Sequence, residues 1–112
     1  MQNLKALLEQ LNIPVAYDHF NTETNPPFIA FRRYSQSNFG ADDIVYEKIN
    51  NYYVYLVTEY KDTSLEEQLE QVLTNAQIFF NVESEDYVDT EKCYQVVYSI
   101  GYKEPKENIL SV

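Results

Sequence analysis

The sequence has few of the residues on which most nucleotide-binding and metal-binding motifs depend. Among 112 residues there are only two glycines, Gly40 and Gly101, one cysteine, Cys93, and one histidine, His19. Gly-rich phosphate loops of the Walker and dinucleotide types need several glycines so that the backbone can approach phosphate. A single cysteine excludes an intrachain disulfide and a cysteine metal cluster, and a single histidine excludes a two-histidine metal site. We therefore predict no cofactor, no metal ion and no enzyme.

Long apolar runs are also missing. The first apolar residues, Leu4, Leu7, Leu8 and Leu11, are separated by polar residues and recur at helical spacing, which is not the pattern of a signal peptide. No stretch approaches the length that spans a bilayer. The expectation is a soluble protein of a reducing compartment, without a membrane partner.

The charge is strongly negative and unevenly distributed. The net charge is −10, yet residues 1–40 contain three acids and three bases, so the whole excess lies in residues 41–112. Between Asp62 and Glu91 there are nine acids and no lysine or arginine. Such a surface repels the phosphate backbone of nucleic acids. It is either a solvated face, a surface held near a polyanion without binding it, or a contact for a basic partner.

Hydrophobic periodicity predicts an α+β fold. Leucine spacing indicates a helix over residues 2–11, and a second apolar stripe indicates a helix over 63–76, with Ser64 and Glu67 as its capping box. The remaining patterns predict strands at 15–20, 28–34, 44–60, from 78 and from 93, a polar loop at 35–43 and an acidic turn over SEDYVDTEK.

These elements predict one domain over residues 1–102, followed by a flexible polar tail, 103–112. We expect a mostly antiparallel sheet of four to six strands with two helices packed on one face. Both faces of the strand that contains Tyr53 and Tyr55 are partly apolar. One face would be covered by the helices, and the other by a neighbouring subunit.

Each candidate for chemistry has a simpler structural interpretation. Asp42 and Asp43 are neighbours whose carboxylates leave opposite faces of a strand, so they are read as turn acids rather than metal ligands. A dyad of Cys93 and His19 is conceivable, but Cys93 lies in a predicted strand and is read as a buried thiol. Ser64 is read as a helix cap and not as a nucleophile. Glu66 and Glu70, one turn apart, could hold a divalent cation weakly, but an exposed acidic face is the favoured reading.

The eleven tyrosines are the most distinctive positive feature of the sequence. A cluster that includes Tyr52, Tyr53, Tyr55 and Tyr60 could stack on sugars or bases. Bases bring phosphates, however, and the acidic surroundings disfavour them. Tyrosine is also enriched where protein surfaces meet. We therefore assign these residues to the sheet core and to a subunit interface.

Four segments follow one another along the chain: IPVAYDHF, PPFIAFRRYSQSNFGADDIVYEKINNYYVYLVTEYKD, LEEQLEQVL and TEKCYQVVYSIGY. This ordered set resembles a known family, the small head–tail connector or tail-completion (tail terminator-like) proteins of long-tailed phages and prophages of low-GC Gram-positive bacteria. The resemblance covers residues 4–102 and contains no catalytic motif.

The resemblance implies a structural ring, commonly a hexamer, in the neck between portal and tail tube. It implies other neck and tail-tube proteins as partners, and DNA that passes through without being read. The location would be the virion, after assembly in the host cytoplasm. An acidic inhibitor or immunity-type protein that mimics nucleic acid is the alternative, and a small enzyme is a third reading.

Two groups of residues are predicted to serve the ring. The loop 35–43 is expected to be mobile in the free subunit and to bury Phe39 on assembly, and one of the two arginines is expected to pair with an acid of a neighbour. The acids of the second helix, or those of the turn 83–91, are expected to face the DNA channel. The predicted interface residues are Phe39, Arg32, Arg33, Tyr53 and Tyr55, and the predicted channel-facing acids are Glu66, Glu67 and Glu70.

Overall fold

A computed structural model describes residues 3–39 and 47–103 of the chain. Gly40, Asp42 and Asp43 lie outside the described residues, as do residues 104–112 of the predicted tail. Lys103, the first residue of that predicted tail, is the last residue of a strand. The elements are helix α1 (Leu4–Leu8) with a following 3₁₀ turn (Glu9–Leu11), strands β1 (Val15–Tyr17), β2 (Phe28–Phe39) and β3 (Glu47–Thr58), helix α2 (Thr63–Asn75), and strands β4 (Phe80–Val88) and β5 (Cys93–Lys103).

The five strands form one sheet in the order β1-β2-β3-β5-β4. β1 runs parallel to β2, and the other three pairings are antiparallel. With its two helices, the protein belongs to the α+β class, which confirms the predicted fold.

Both helices pack on the same face of the sheet, which we call the covered face. Helix α2 buries a stripe at three- and four-residue spacing, Leu65, Leu69 and Leu73, because these positions recur on one side of a helix. The N-terminal helix buries its leucines in the same core. It begins at Asn3, whose side chain accepts a hydrogen bond from the Ala6 amide, and the following 3₁₀ turn ends at Asn12 in the left-handed conformation, with φ of 63°.

Alternation along the strands assigns side chains to the two faces. In β3, Tyr52, Val54 and Leu56 are buried on the covered face. The residues between them, including Tyr53 and Tyr55, therefore point to the opposite side, because successive side chains of a strand alternate. We call that opposite side the open face.

The predicted helix cap was wrong, although the helix itself is confirmed. Asp62, and not Ser64, is the N-cap: its carboxylate accepts a hydrogen bond of 3.0 Å from the Leu65 amide. Ser64 instead lies inside the first turn, where its hydroxyl accepts a long bond of 3.5 Å from the Gln68 side chain. Asp and Ser are both good caps, so the position at which the chain turns after β3 decides between them.

Two polar segments predicted as irregular are strand. Residues 35–39 continue β2 and pair with residues 47–51 of β3, after a register shift between Arg33 and Ser35. Residues 84–88 belong to β4 and pair with β5, after a shift between Val82 and Ser84. Pairing with a neighbouring strand overrides the weak intrinsic preference of such residues. No described helix has the length and apolar character needed to cross a membrane.

Candidate functional site

The open face of the sheet is the candidate site. Because antiparallel partners share a face, Ala30 lies beside Tyr55, and Arg32 beside Tyr53. The described helices lie on the covered face, so no described helix shields these side chains. The side chains of the open face that matter here are Phe28, Ala30, Arg32 and Tyr34 of β2, Tyr53, Tyr55 and Val57 of β3, and Cys93, Gln95, Val97 and Ser99 of β5.

Three tyrosines form a continuous aromatic cluster on this face. The rings of Tyr34 and Tyr53 are stacked, with centroids 4.1 Å apart and an interplanar angle of 16°. Tyr55 lies next, with its centroid 6.2 Å from that of Tyr53. Burial against the sheet, with smaller effects of Tyr53 and Glu83, raises the pKa of the Tyr34 hydroxyl above its ordinary value. Tyr34 remains 43% exposed, so a flat aromatic surface faces outward.

The two arginines leave opposite faces, as their adjacency predicts. Arg32 lies on the open face, where its Nη2 donates a hydrogen bond of 3.2 Å to the Tyr55 hydroxyl and its Nε lies 3.9 Å from Asp18. The bond to Tyr55 is the main reason that the pKa of Arg32 is raised. Arg33 lies on the other side and donates a bond of 3.4 Å to the side-chain oxygen of Asn50.

A groove of about 440 Å³ lies on the open face beside this cluster. Its floor is formed by four strands, and its walls by the segment 18–26 and the turn after β4. The lining residues are Asp18, Glu23, Thr24, Asn25, Pro26, Phe28, Ala30, Tyr55, Val57, Val88, Glu91, Cys93 and Gln95. Burial, and then the negative charge of Glu91, raise the pKa of the Cys93 thiol. A protonated thiol in this position is a poor nucleophile.

The three acids predicted to face a channel have different surroundings. Glu66 forms an ion pair with Lys61, in which Nζ lies 2.9 Å from Oε2. Glu70 accepts a hydrogen bond of 2.9 Å from the hydroxyl of the buried Tyr98. Only Glu67 is exposed. The reading of Glu66 and Glu70 as an exposed acidic face is therefore wrong, and the position of all three acids relative to a channel stays a prediction.

The acids of β4 and the following turn are also divided. Glu83 accepts a hydrogen bond of 2.6 Å from Ser99, and Glu85 accepts one of 2.6 Å from Lys61. The bonds to Glu85 and Glu66 raise the pKa of Lys61. Asp86 and Asp89 are exposed and form no ion pair with any described residue. Together with Glu91, which is also exposed and forms no ion pair with a described residue, they are free negative charges of this edge.

The other candidate residues do not come together. The His19 ring is bonded to Asp18 at 2.9 Å, and no hydrogen bond joins it to Cys93. Within residues 3–39 and 47–103 no group of three or more histidines, cysteines or acids could hold a metal ion. The backbone of Phe39 pairs with Glu47 at the end of β2, so this part of the predicted loop is strand; its side chain lies outside the described part.

Sequence reasoning missed the groove. Glu23 and Glu91 carried no signal because the segments that hold them are far apart in the chain and irregular. The usable signal was the alternation of side chains in the strands. The positions that point to the open face include the apolar residues Phe28 and Val57.

The protein is an α+β domain in which the described helices cover only one face of the sheet. The sequence matches no protein-family model and has no significant match to a curated protein.

Proposed function

We propose that the protein is a structural assembly subunit that uses the open face of its sheet to bind a neighbouring subunit. The observation that carries this proposal is the stacked pair of Tyr34 and Tyr53, with Arg32 beside it, on a face without a described helical layer. Tyrosine and arginine are the residues in which interface binding energy is concentrated. Tyr53 and Tyr55 therefore remain our interface residues, together with Arg32.

The charge distribution favours a head-to-tail contact. Arg32 is exposed on β2, near one side of the sheet, whereas Asp86 and Asp89 are exposed at the opposite edge, on β4 and its turn. A contact between two different surfaces of the same chain is heterologous, and it generates a ring if the rotation closes. Two opposite charges on opposite sides of the sheet suit such a contact.

The head-to-tail contact and the resemblance of residues 4–102 together support a more specific role. The chain would form a tail-completion ring in the neck of a long-tailed phage or prophage, commonly hexameric, with other neck and tail-tube proteins as partners. It would be assembled in the host cytoplasm and be part of the virion. DNA would pass through without sequence-specific binding, because exposed carboxylates offer no cation to its phosphates.

The experiment is a mass measurement in solution, alone and with a tail-tube protein. A closed oligomer, formed alone or on addition of the tube protein, is expected. A monomer under both conditions would contradict the proposal.

An acidic inhibitor that mimics nucleic acid is the second candidate, and the free carboxylates of Asp86 and Asp89 favour it. Such a protein would remain a monomer and bind a basic nucleic-acid-binding protein with one-to-one stoichiometry. Loss of that complex in a variant with Asp86→Asn and Asp89→Asn, with no ring detected, would support the inhibitor.

A further inference from the structure

We propose that the groove on the open face is a binding site for a lysine or arginine side chain presented by a partner polypeptide. The groove is a concave surface beside the tyrosine cluster, and binding in it does not depend on ring formation.

The floor of the groove suits the stem of a long basic side chain. Phe28, Ala30 and Val57 are adjacent in the register of β2 and β3, and Val88 and Cys93 continue the apolar surface across β5 to β4. Lysine and arginine bury their methylene groups along apolar surface while the charged end stays near water. A volume of about 440 Å³ can hold such a side chain with part of its backbone.

The walls of the groove are acidic. Asp18, Glu23 and Glu91 line it, and no lysine or arginine does. Glu23 and Glu91 form no ion pair with a described residue, so their charges are available to a ligand. The potential in the groove therefore attracts a cation and repels phosphate.

The molecule already contains an example of the proposed recognition. The guanidinium of Arg32 lies between the Tyr55 hydroxyl, at 3.2 Å, and Asp18, at 3.9 Å. These two lining residues thus bind a basic side chain of the same chain. An incoming cation would instead meet Glu23 and Glu91, which come from two different walls.

The combination of apolar floor and acidic walls selects a polypeptide rather than a free ion. A small inorganic cation would make no use of Phe28 and Val57, and the described lining offers no group of three or more acids that could ligate a metal ion. A basic residue flanked by apolar neighbours uses both parts of the groove.

The test uses the peptide acetyl-Ala-Lys-Leu-Lys-Trp-amide as the probe. Because the protein has no tryptophan, the peptide fluorescence reports binding when it is excited at a wavelength that its eleven tyrosines hardly absorb. We expect one-to-one binding, and weaker binding by about fivefold when both lysines are replaced by norleucine, as for the loss of two exposed ion pairs. Equal binding of the two peptides would overturn the proposal.

Two protein variants with the same net charge separate the groove from general attraction. Glu23→Gln with Glu91→Gln should weaken binding about fivefold, whereas Glu9→Gln with Glu67→Gln, at exposed positions on the helical side of the sheet, should change it by less than about twofold. An equal loss in both variants would show that only the overall charge matters, and would contradict the site.

The rate at which Cys93 is alkylated reports independently where the peptide binds. It lines the groove and is the only cysteine in the sequence, so a small alkylating reagent labels one position. Because the thiol is buried and its pKa is raised, the reaction is slow and is followed at alkaline pH. Saturating peptide should slow the alkylation, and Ala30→Leu, which fills the floor, should abolish the protection. Unchanged alkylation in the presence of bound peptide would place the peptide elsewhere and refute the proposal.

Discussion

The hydroxyl of Tyr98 donates a hydrogen bond of 2.9 Å to a carboxylate oxygen of Glu70, which joins the middle of strand β5 to helix α2. Tyr98 is fully buried. Burial disfavours the charged form of the ring, and the bond to Glu70 favours the protonated hydroxyl, so both raise the pKa of Tyr98 far above its ordinary value. An acid expected on an outward surface thus fixes the helix to the sheet.

Tyr98→Phe should lower the free energy of unfolding by about 2 kcal/mol, because it removes a hydrogen bond to a charged group and leaves a partly buried carboxylate without that donor. The measurement is urea denaturation at neutral pH. Tyr87→Phe is the matched control, since that ring is 54% exposed and should change stability by less than about 0.5 kcal/mol. Equal effects of the two substitutions would contradict the role of the bond.

The same tyrosine predicts how stability depends on alkaline pH. Below about pH 10, the ordinary pKa of tyrosine, Tyr98 is protonated in both states and its contribution is fully present. Above that pH the unfolded chain ionises Tyr98 while the folded protein does not, so the free energy of unfolding falls.

The difference between the wild type and Tyr98→Phe isolates this effect, since the other titrating groups are common to both proteins. The wild type should lose up to about 1.4 kcal/mol per pH unit more than the variant above pH ~10. Denaturation curves at a series of pH values up to about 11 measure it. Parallel pH profiles would show that Tyr98 ionises normally in the folded state.

The start of helix α2 gives a prediction that distinguishes Asp62 as the N-cap from the capping box of Ser64 and Glu67. Asp62→Ala should cost about 1 kcal/mol of stability, because the Leu65 amide loses its acceptor and the helix N-terminus loses a favourable charge. Ser64→Ala should cost less than about 0.5 kcal/mol. Thermal denaturation of the two variants decides the matter, and a larger loss for Ser64→Ala would restore the capping box.

In the ring proposed above, the carboxylates of Asp86 and Asp89 either contact Arg32 of a neighbouring subunit or line the channel, whereas helix α2 exposes only Glu67 among the three predicted channel acids. Asp86→Lys with Asp89→Lys should permit folding and produce DNA binding that ~0.2 M salt largely removes, as expected for a few phosphate contacts. If Asp86 and Asp89 line the channel, the variant should still assemble and its particles should release DNA more slowly. Loss of assembly would instead place the two residues at the contact with Arg32.

Glu59→Lys with Glu67→Lys is the control, since both positions are exposed and the charge change is the same. It should bind DNA in solution but leave the exit rate unchanged. If the control slows exit and the β4 variant does not, the helix side faces the channel instead.

Local patterns determined what could be predicted from the sequence. Leu65, Leu69 and Leu73 define α2 within thirteen residues, and the alternation around Val54 defines β3. Glu66 and Glu70 were misplaced because each lies one position after a buried leucine, about 100° around the helix. Such positions border the apolar stripe, and whether they face water or the sheet depends on partners such as Tyr98 and Lys61.

The rest depends on contacts between distant segments. Residues 35–39 have no apolar pattern, and they are strand because residues 47–51 pair with them. The groove combines the segment that contains Glu23 with the turn that contains Glu91, which are far apart in sequence. No local pattern encodes such a juxtaposition, although the adjacency of Arg32 and Arg33 in a strand does predict that their side chains leave opposite faces.

The most direct test of the central claim is the oligomeric mass of two charge reversals in native mass spectrometry, read as multiples of 13.2 kDa. Arg32 lies on the open face and Arg33 on the opposite side, so the pair differs in position and not in charge. If the open face joins the subunits, Arg32→Glu should convert the assembly to monomers while Arg33→Glu remains assembled, with both variants folded. Monomers throughout, or loss of assembly only with Arg33→Glu, would contradict the account.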